Sequence, residues 1–144
     1  MKIRRLACPA LLAALLGAVV AAALVGCSES ALEQQLVDAI ESSEGAAVEF
    51  GMVADAHWDG FLVVCPYDPS VSERLGFDWP DEPDTFRSDD YQTIVFVDDG
   101  AVVTAPSLSF DKLQLCSSEI WQLTALDQPF DFTQNAAGTW VIEQ

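Results

Sequence analysis

The sequence is poor in basic residues. Six lysines and arginines stand against 23 aspartates and glutamates, and His57 is the one histidine. A domain that binds DNA or RNA needs a basic surface to neutralise phosphates, so the composition argues against nucleic-acid binding. An acidic domain instead attracts cationic partners and is kept soluble by its charge.

The sequence also lacks the short motifs of common hydrolases. It contains neither a G-x-S-x-G nucleophile elbow nor an H-E-x-x-H zinc helix. A Ser-His-Asp triad would have to use His57, and no serine lies in a suitable turn motif. We therefore predict a protein that is not an enzyme and that needs no cofactor.

The first 27 residues differ from the rest of the chain. Lys2, Arg4 and Arg5 precede an almost unbroken apolar run from Leu11 to Val25, which leads into Leu24-Val25-Gly26-Cys27. This segment has the charge and hydropathy pattern of a secretory signal. The final tetrad resembles the lipobox of bacterial lipoproteins. That resemblance implies cleavage before Cys27, a diacylglycerol on its sulfur and an acyl chain on its amino group.

The resemblance also implies a location and a domain organisation. Residues 1–26 are expected to be a removed signal peptide, residues 27–30 a lipid attachment site with a very short tether, and residues 31–144 one acidic domain at the extracytoplasmic face of the cell membrane. The alternative is a retained transmembrane helix, because the stretch from Leu6 to Val25 is 20 residues long. All 23 acidic residues and three of the six basic residues follow the signal, so the mature chain has a net charge of −20.

Cysteine usage agrees with export. Cys8 lies in the signal and Cys27 is the lipid attachment site, which leaves Cys65 and Cys116 in the domain. Two thiols in an exported domain favour a disulfide. A bond between positions 51 apart stabilises a fold by about 4 kcal/mol on the chain-entropy model. The alternative is a catalytic thiol activated by His57.

The hydrophobic pattern predicts one helix followed by strands. Apolar residues at helical spacing predict a helix from about Ala31 to Ser43, with Ser30 and Glu33 as a capping box. In later segments, apolar and polar residues alternate, or apolar and β-branched residues run continuously. Both patterns predict strands. They are Val48 to Val53, Trp58 to Cys65, the hairpin Thr93 to Ala105 around Asp98-Asp99-Gly100, and the hairpin Phe130 to Ile142.

These elements predict an α+β fold. It comprises an antiparallel sheet of five to seven strands, one N-terminal amphipathic helix packed on the sheet, and one disulfide. The Trp58–Tyr67 stretch and the later hairpin also resemble small exported bacterial proteins of uncharacterised function. That resemblance supports the fold and implies no activity. Pro69 to Leu75 is a predicted short helix, and Leu108 to Leu115 a loop or a helical turn.

Two acidic segments are candidate sites. Asp55, His57 and Asp59 would point the same way on an extended strand, so they form a weak candidate site for a divalent metal. The acidic loop Phe77 to Asp90 is the predicted contact region for a partner, through Trp79, Asp81, Glu82 and Asp84. Its carboxylates lack the ligand spacing of a calcium loop.

We therefore expect a membrane-anchored lipoprotein whose acidic domain binds a cationic or neutral envelope protein. The alternatives are an acidic inhibitor of a cationic cell-wall hydrolase such as lysozyme, and a divalent-metal-binding protein.

Overall fold

The computed structural model describes residues 28–55, 57–87, 89–116, 120 and 122–143, with side chains from residue 31. The predicted signal peptide, its lipidated Cys27 and the transmembrane alternative lie outside the described residues. Within them the fold is α+β with mainly antiparallel sheets, as the sequence predicts. The N-terminal helix packs its apolar residues into the main core, also as predicted.

The described residues form two helices, one 3-10 turn and nine strands, joined by loops and turns. In chain order they are α1 Ser28–Ser42, β1 Val48–Glu49, the 3-10 helix Phe50–Met52, β2 Gly60–Val64, α2 Val71–Leu75, β3 Tyr91–Asp98, β4 Ala101–Thr104, β5 Ser107–Ser109, β6 Leu113–Gln114, β7 Pro129–Phe130, β8 Phe132–Gln134 and β9 Trp140–Ile142.

The strands form three sheets, whereas one sheet of five to seven strands was predicted. Several strands are only two or three residues long, which is too short to show an alternating pattern in the sequence. For this reason the segment predicted as a loop or helical turn, 108–115, contains β6 and most of β5. The predicted strand 48–53 likewise keeps only β1, and a 3-10 turn follows it.

β3 is the centre of the largest sheet. β2 pairs antiparallel with it over five residues, and β4 and β5 share its other edge. Asp99 and Gly100 form the two-residue turn between β3 and β4, with φ values of 47° and 72°. Such turns need two positive φ angles, which confirms the hairpin predicted from the Asp-Gly pair.

The remaining strands form two small sheets. β1 pairs with β7, and β9 lies between β6 and β8. β8 and β9 form the second predicted hairpin. The pair β6–β9 is parallel, which the prediction of an antiparallel sheet did not include.

Helices cover both faces of the β2–β3 pair. Alternate residues of the two strands face opposite sides, so each strand contributes to two clusters. One cluster joins Phe61, Val63, Ile94 and Phe96 to the apolar side chains of α1. The other joins Leu62, Val64, Val95 and Val97 to Val71 and Leu75 of α2. All five residues of β2 are buried, and this strand lies within the segment Trp58 to Cys65 that was predicted as a strand.

The helix α1 begins at Ser28, three residues before the predicted start. Ser30 therefore lies within the helix instead of capping it, and the Glu33 carboxylate accepts a hydrogen bond from Ser109 at 3.3 Å. Beyond the helix end, Gly45 adopts a φ of 83° and donates to the carbonyl of Ile40 at 2.8 Å. A Cβ at Gly45 would lie 2.2 Å from the Phe132 carbonyl oxygen, so glycine is required there.

Candidate functional site

A buried ion pair organises the turn that follows β2. Arg74 of α2 donates to the Asp68 carboxylate at 2.6 Å, and their side chains are 10% and 5% exposed. The same carboxylate accepts from the backbone N–H of Cys65 at 2.8 Å, and Arg74 also donates to the carbonyl of Val63 at 2.8 Å. Because these contacts join the end of β2 to α2, we assign the pair to holding the turn in place.

The predicted disulfide adjoins this turn. Cys65 and Cys116 are bonded, with their Cα atoms 5.7 Å apart. Cys65 follows β2 and Cys116 follows the β6 strand, so the bond ties the largest sheet to a smaller one. A sulfur held in a disulfide is not a free thiol, so the bonded state does not support the catalytic-thiol alternative.

Hydrogen bonds fasten the acidic loop to the same turn. The backbone N–H of Tyr67 donates to the carbonyl of Thr85 at 3.0 Å, and the Thr85 hydroxyl donates to the carbonyl of Asp68 at 2.8 Å. Two distant stretches of chain are thereby held side by side. These bonds hold part of the loop against the turn, and many proteins carry their binding residues on loops that the rest of the fold positions.

Two of the residues predicted to contact a partner, Glu82 and Trp79, also make contacts within the domain. The Glu82 carboxylate accepts from the Ser72 hydroxyl at 2.7 Å and from its N–H at 2.8 Å, in the first turn of α2. These bonds from Ser72 lower the pKa of Glu82. Trp79 is half-buried and packs against the α2 side of the sheet, because an indole is more stable on apolar residues than in water. Trp79 therefore presents only part of its indole to the solvent.

Three other aromatic side chains are exposed in the same region. Tyr67, Phe86 and Tyr91 are 59%, 69% and 55% exposed. The rings of Tyr67 and Phe86 meet edge to face with centroids 6.0 Å apart. We call these three residues, together with Asp81, Asp84 and Asp89, the aromatic–acidic face.

Tyr67 has a strained backbone for a large residue. Its φ of 66° lies in the left-handed region, which costs a residue with a side chain about 1–2 kcal/mol. Its hydroxyl donates to the Asp89 carboxylate, and this hydrogen bond raises the pKa of Tyr67. The side chain fills no core position, so packing does not explain why a tyrosine occupies this conformation.

Shallow depressions flank a ridge on this face. Pro83, Asp84 and Thr85 line both a depression of about 380 Å³, edged by Phe86, and one of about 150 Å³, edged by Tyr91. Asp81 and Asp84 are exposed, and Asp84 pairs with the exposed Arg87 at 3.1 Å. The face thus presents aromatic rings among carboxylates.

The residues of the candidate metal site do not share a strand. β2 begins only at Gly60, so Asp55, His57 and Asp59 lie in the preceding turn. Asp55 accepts from the backbone N–H of His57 at 3.1 Å, and Asp59 accepts from that of Asp99 at 2.8 Å. Among the described residues, no three His, Cys, Asp or Glu side chains are grouped closely enough to hold a metal ion.

One serine–lysine pair has the i, i+3 spacing of some nucleophilic enzymes. These residues are Ser109 and Lys112. The Ser109 hydroxyl donates to Glu33, and the Lys112 ammonium donates to Gln34 at 3.2 Å. Both side chains form hydrogen bonds with residues of α1, so we assign this pair to attaching that helix to the fold.

The position of Tyr67 in a turn could have been predicted from the sequence. It stands in Pro66-Tyr67-Asp68-Pro69, and two prolines this close favour a turn and disfavour a strand. The exposure of Phe86 and Tyr91 carried no comparable signal, because it depends on how the acidic loop is fastened.

Comparison with known proteins found no matching family model, no matching curated protein and no matching solved structure. In the described part of the chain, no helix has both the length and the apolar character needed to cross a bilayer.

Proposed function

We propose that this protein is a lipoprotein of the bacterial cell envelope that binds a cationic partner through the aromatic–acidic face. Cys27 carries the lipid, residues 1–26 are removed, and the domain lies at the extracytoplasmic surface of the membrane. It acts by binding and performs no catalysis. The proposal for the anchor depends on the lipobox-like tetrad, and the proposal for the partner depends on the exposed face.

The observation that carries the binding proposal is Tyr67. An exposed tyrosine in a left-handed conformation, in ring contact with Phe86, which is also exposed, costs stability and contributes nothing to the core. Strain of this kind concentrates at functional sites. Aromatic side chains are also enriched at protein–protein interfaces.

The chemistry of the face favours a cation. Lysine and arginine bind over aromatic rings with about 0.5–1 kcal/mol at exposed sites, and neighbouring carboxylates add charge pairing. The domain supplies a long-range attraction as well, because its 23 acidic residues far outnumber its basic ones.

The proposed anchor and the proposed binding face are spatially compatible. α1, which begins one residue after Cys27, covers one side of the β2–β3 pair. The acidic loop and α2 cover the other side. An anchor at the start of α1 therefore leaves the aromatic–acidic face accessible to a partner in the envelope.

The binding proposal is tested with the full chain extracted from membranes in detergent. The probes are an oligo-lysine peptide and lysozyme, a basic cell-wall hydrolase. We expect both to bind, with affinities that fall as salt is raised. Phe86→Ser should weaken binding about tenfold. The control is Leu123→Ser, which should leave binding unchanged, because Leu123 is an exposed apolar residue next to Gly60, at the end of β2 away from Tyr67.

Equal binding by wild type and Phe86→Ser, or no binding at low salt, would refute the proposed site. Lysis of cell walls by lysozyme distinguishes the inhibitor hypothesis. If bound lysozyme keeps its full rate, the domain binds cationic proteins without inhibiting this hydrolase.

A further inference from the structure

An open cleft with mainly apolar lining side chains lies on the other side of the sheet from the aromatic–acidic face. It has a volume of about 420 Å³ and is lined mainly by Leu32, Val53, Trp58, Phe96 and Pro106. Phe96 and Leu32 belong to the α1 side of the core, and the rings of Trp58 and Phe96 are 5.1 Å apart. The volume is in the range of small-molecule sites.

The chemistry of the cleft fits an uncharged, apolar occupant. The described residues that line it carry no charge, and their polar side-chain groups are the Thr104 hydroxyl and the Trp58 indole N–H. A charged ligand would lose its hydration there without gaining a partner. A hydrocarbon chain needs no charged partner there and would remove the apolar side chains of the walls from water.

The cleft lies near the N-terminal end of α1, the helix that directly follows Cys27 in the sequence. Leu32 follows Ser28, the first residue of α1, by four residues, which is about 6 Å of helix. Side chains on a helix lean towards its N-terminus, so Leu32 leans towards the end that Cys27 precedes.

We propose that one acyl chain attached to Cys27 lies in this cleft. The inference rests on the proposed lipidation and adds where one of the chains goes. Two chains already hold a protein stably on a membrane, so a third is not needed for anchoring. The acyl chain is already surrounded by hydrocarbon in the bilayer, so moving it into the cleft gives no hydrophobic free energy for the chain itself. The driving force is instead the removal of the apolar side chains of the cleft from water. Attachment one residue before α1 makes this exchange intramolecular.

The test uses a fatty acid that carries a photoreactive diazirine. Bacteria that express the full chain are fed this fatty acid, their membranes are irradiated, and the protein is mapped by mass spectrometry. We expect a cross-link that joins the peptide beginning at Cys27 to peptides containing Val53, Trp58 or Phe96. A free phospholipid in the cleft would instead leave a lipid adduct on those peptides without the Cys27 peptide.

Paired variants locate the site. Thr104→Phe places a ring into the cleft from an exposed position and should abolish the Cys27 cross-link. Val103→Phe adds the same ring at the neighbouring exposed position, which does not line the cleft, and should leave the cross-link intact.

Cross-links from a labelled Cys27 only to phospholipid, or to the cleft equally in Thr104→Phe, would overturn the inference while the anchor stands. A protein with no label at all would show that Cys27 carries no acyl chain, which overturns the anchor and the inference together.

Discussion

The guanidinium of Arg74 lies 2.6 Å from the carboxylate of Asp68, in an ion pair that is almost completely shielded from water. Asp68 directly follows Tyr67, so the same pair fixes the turn that carries the strained, exposed tyrosine. Stability and the proposed binding therefore depend on neighbouring residues, and substitutions can separate the two.

Replacing Arg74 with methionine should lower the free energy of unfolding by about 3–5 kcal/mol, because it leaves the Asp68 carboxylate buried without its partner. The double variant Asp68→Asn with Arg74→Met removes both charges and should recover part of that loss. Urea unfolding of the two variants measures the difference. A loss below about 1 kcal/mol for the single variant would show that water replaces the arginine.

Tyr67→Gly should be more stable than Tyr67→Ala, by roughly 0.5–1 kcal/mol. Glycine adopts a φ of 66° without strain, but it also gives the unfolded chain more freedom, which offsets part of the gain. Both variants lose the ring and should bind cations more weakly than wild type. An alanine variant as stable as the glycine variant would mean that the turn relaxes once the ring is gone.

Removing the disulfide should cost about 4 kcal/mol, since the bond closes a loop between residues 51 apart. Cys65→Ser with Cys116→Ser tests this by thermal unfolding, compared with wild type under oxidising conditions. Reduced wild type serves as the control, and it should melt close to the double variant. A double variant with the melting temperature of the oxidised protein would contradict the assignment.

The Glu82 carboxylate should make folding sensitive to acid. Its pKa is lowered from the usual value of 4.5, mainly by hydrogen bonds from Ser72. The stability that it contributes is therefore present above pH 4.5 and is lost as the pH falls through the lowered pKa. Glu82→Gln should weaken this part of the pH dependence in urea titrations between neutral and acidic pH. An unchanged slope would show that the bonds to Ser72 do not persist in solution.

The larger elements could be predicted because each has a strong local cause. The apolar stripe of α1, the continuous apolar run of β2 and the Asp99-Gly100 turn act within a few residues of the chain. The disulfide followed from counting the cysteines that remain after export. The small strands β5 and β6 escaped prediction because their own runs are too short, and because β6 pairs with a strand distant in the sequence.

The candidate site was located only in outline. The acidic loop was identified from composition, but Trp79 proved to be half-buried and Tyr67, Phe86 and Tyr91 carry the exposed aromatic surface. Which aromatic residues face the solvent depends on tertiary hydrogen bonds, such as that from Tyr67 to Thr85. Sequence patterns describe periodicity along the chain and do not contain such contacts.

The account depends most on Cys27, and intact-mass spectrometry of the membrane fraction tests it most directly. For the full chain expressed in a bacterium, we predict a polypeptide that begins at Cys27 and carries the added mass of a diacylglycerol. The Cys65–Cys116 bond should make its mass two hydrogens lower than that of the reduced form. A polypeptide that retains residues 1–26, or one that begins at Cys27 without lipid, would contradict the account.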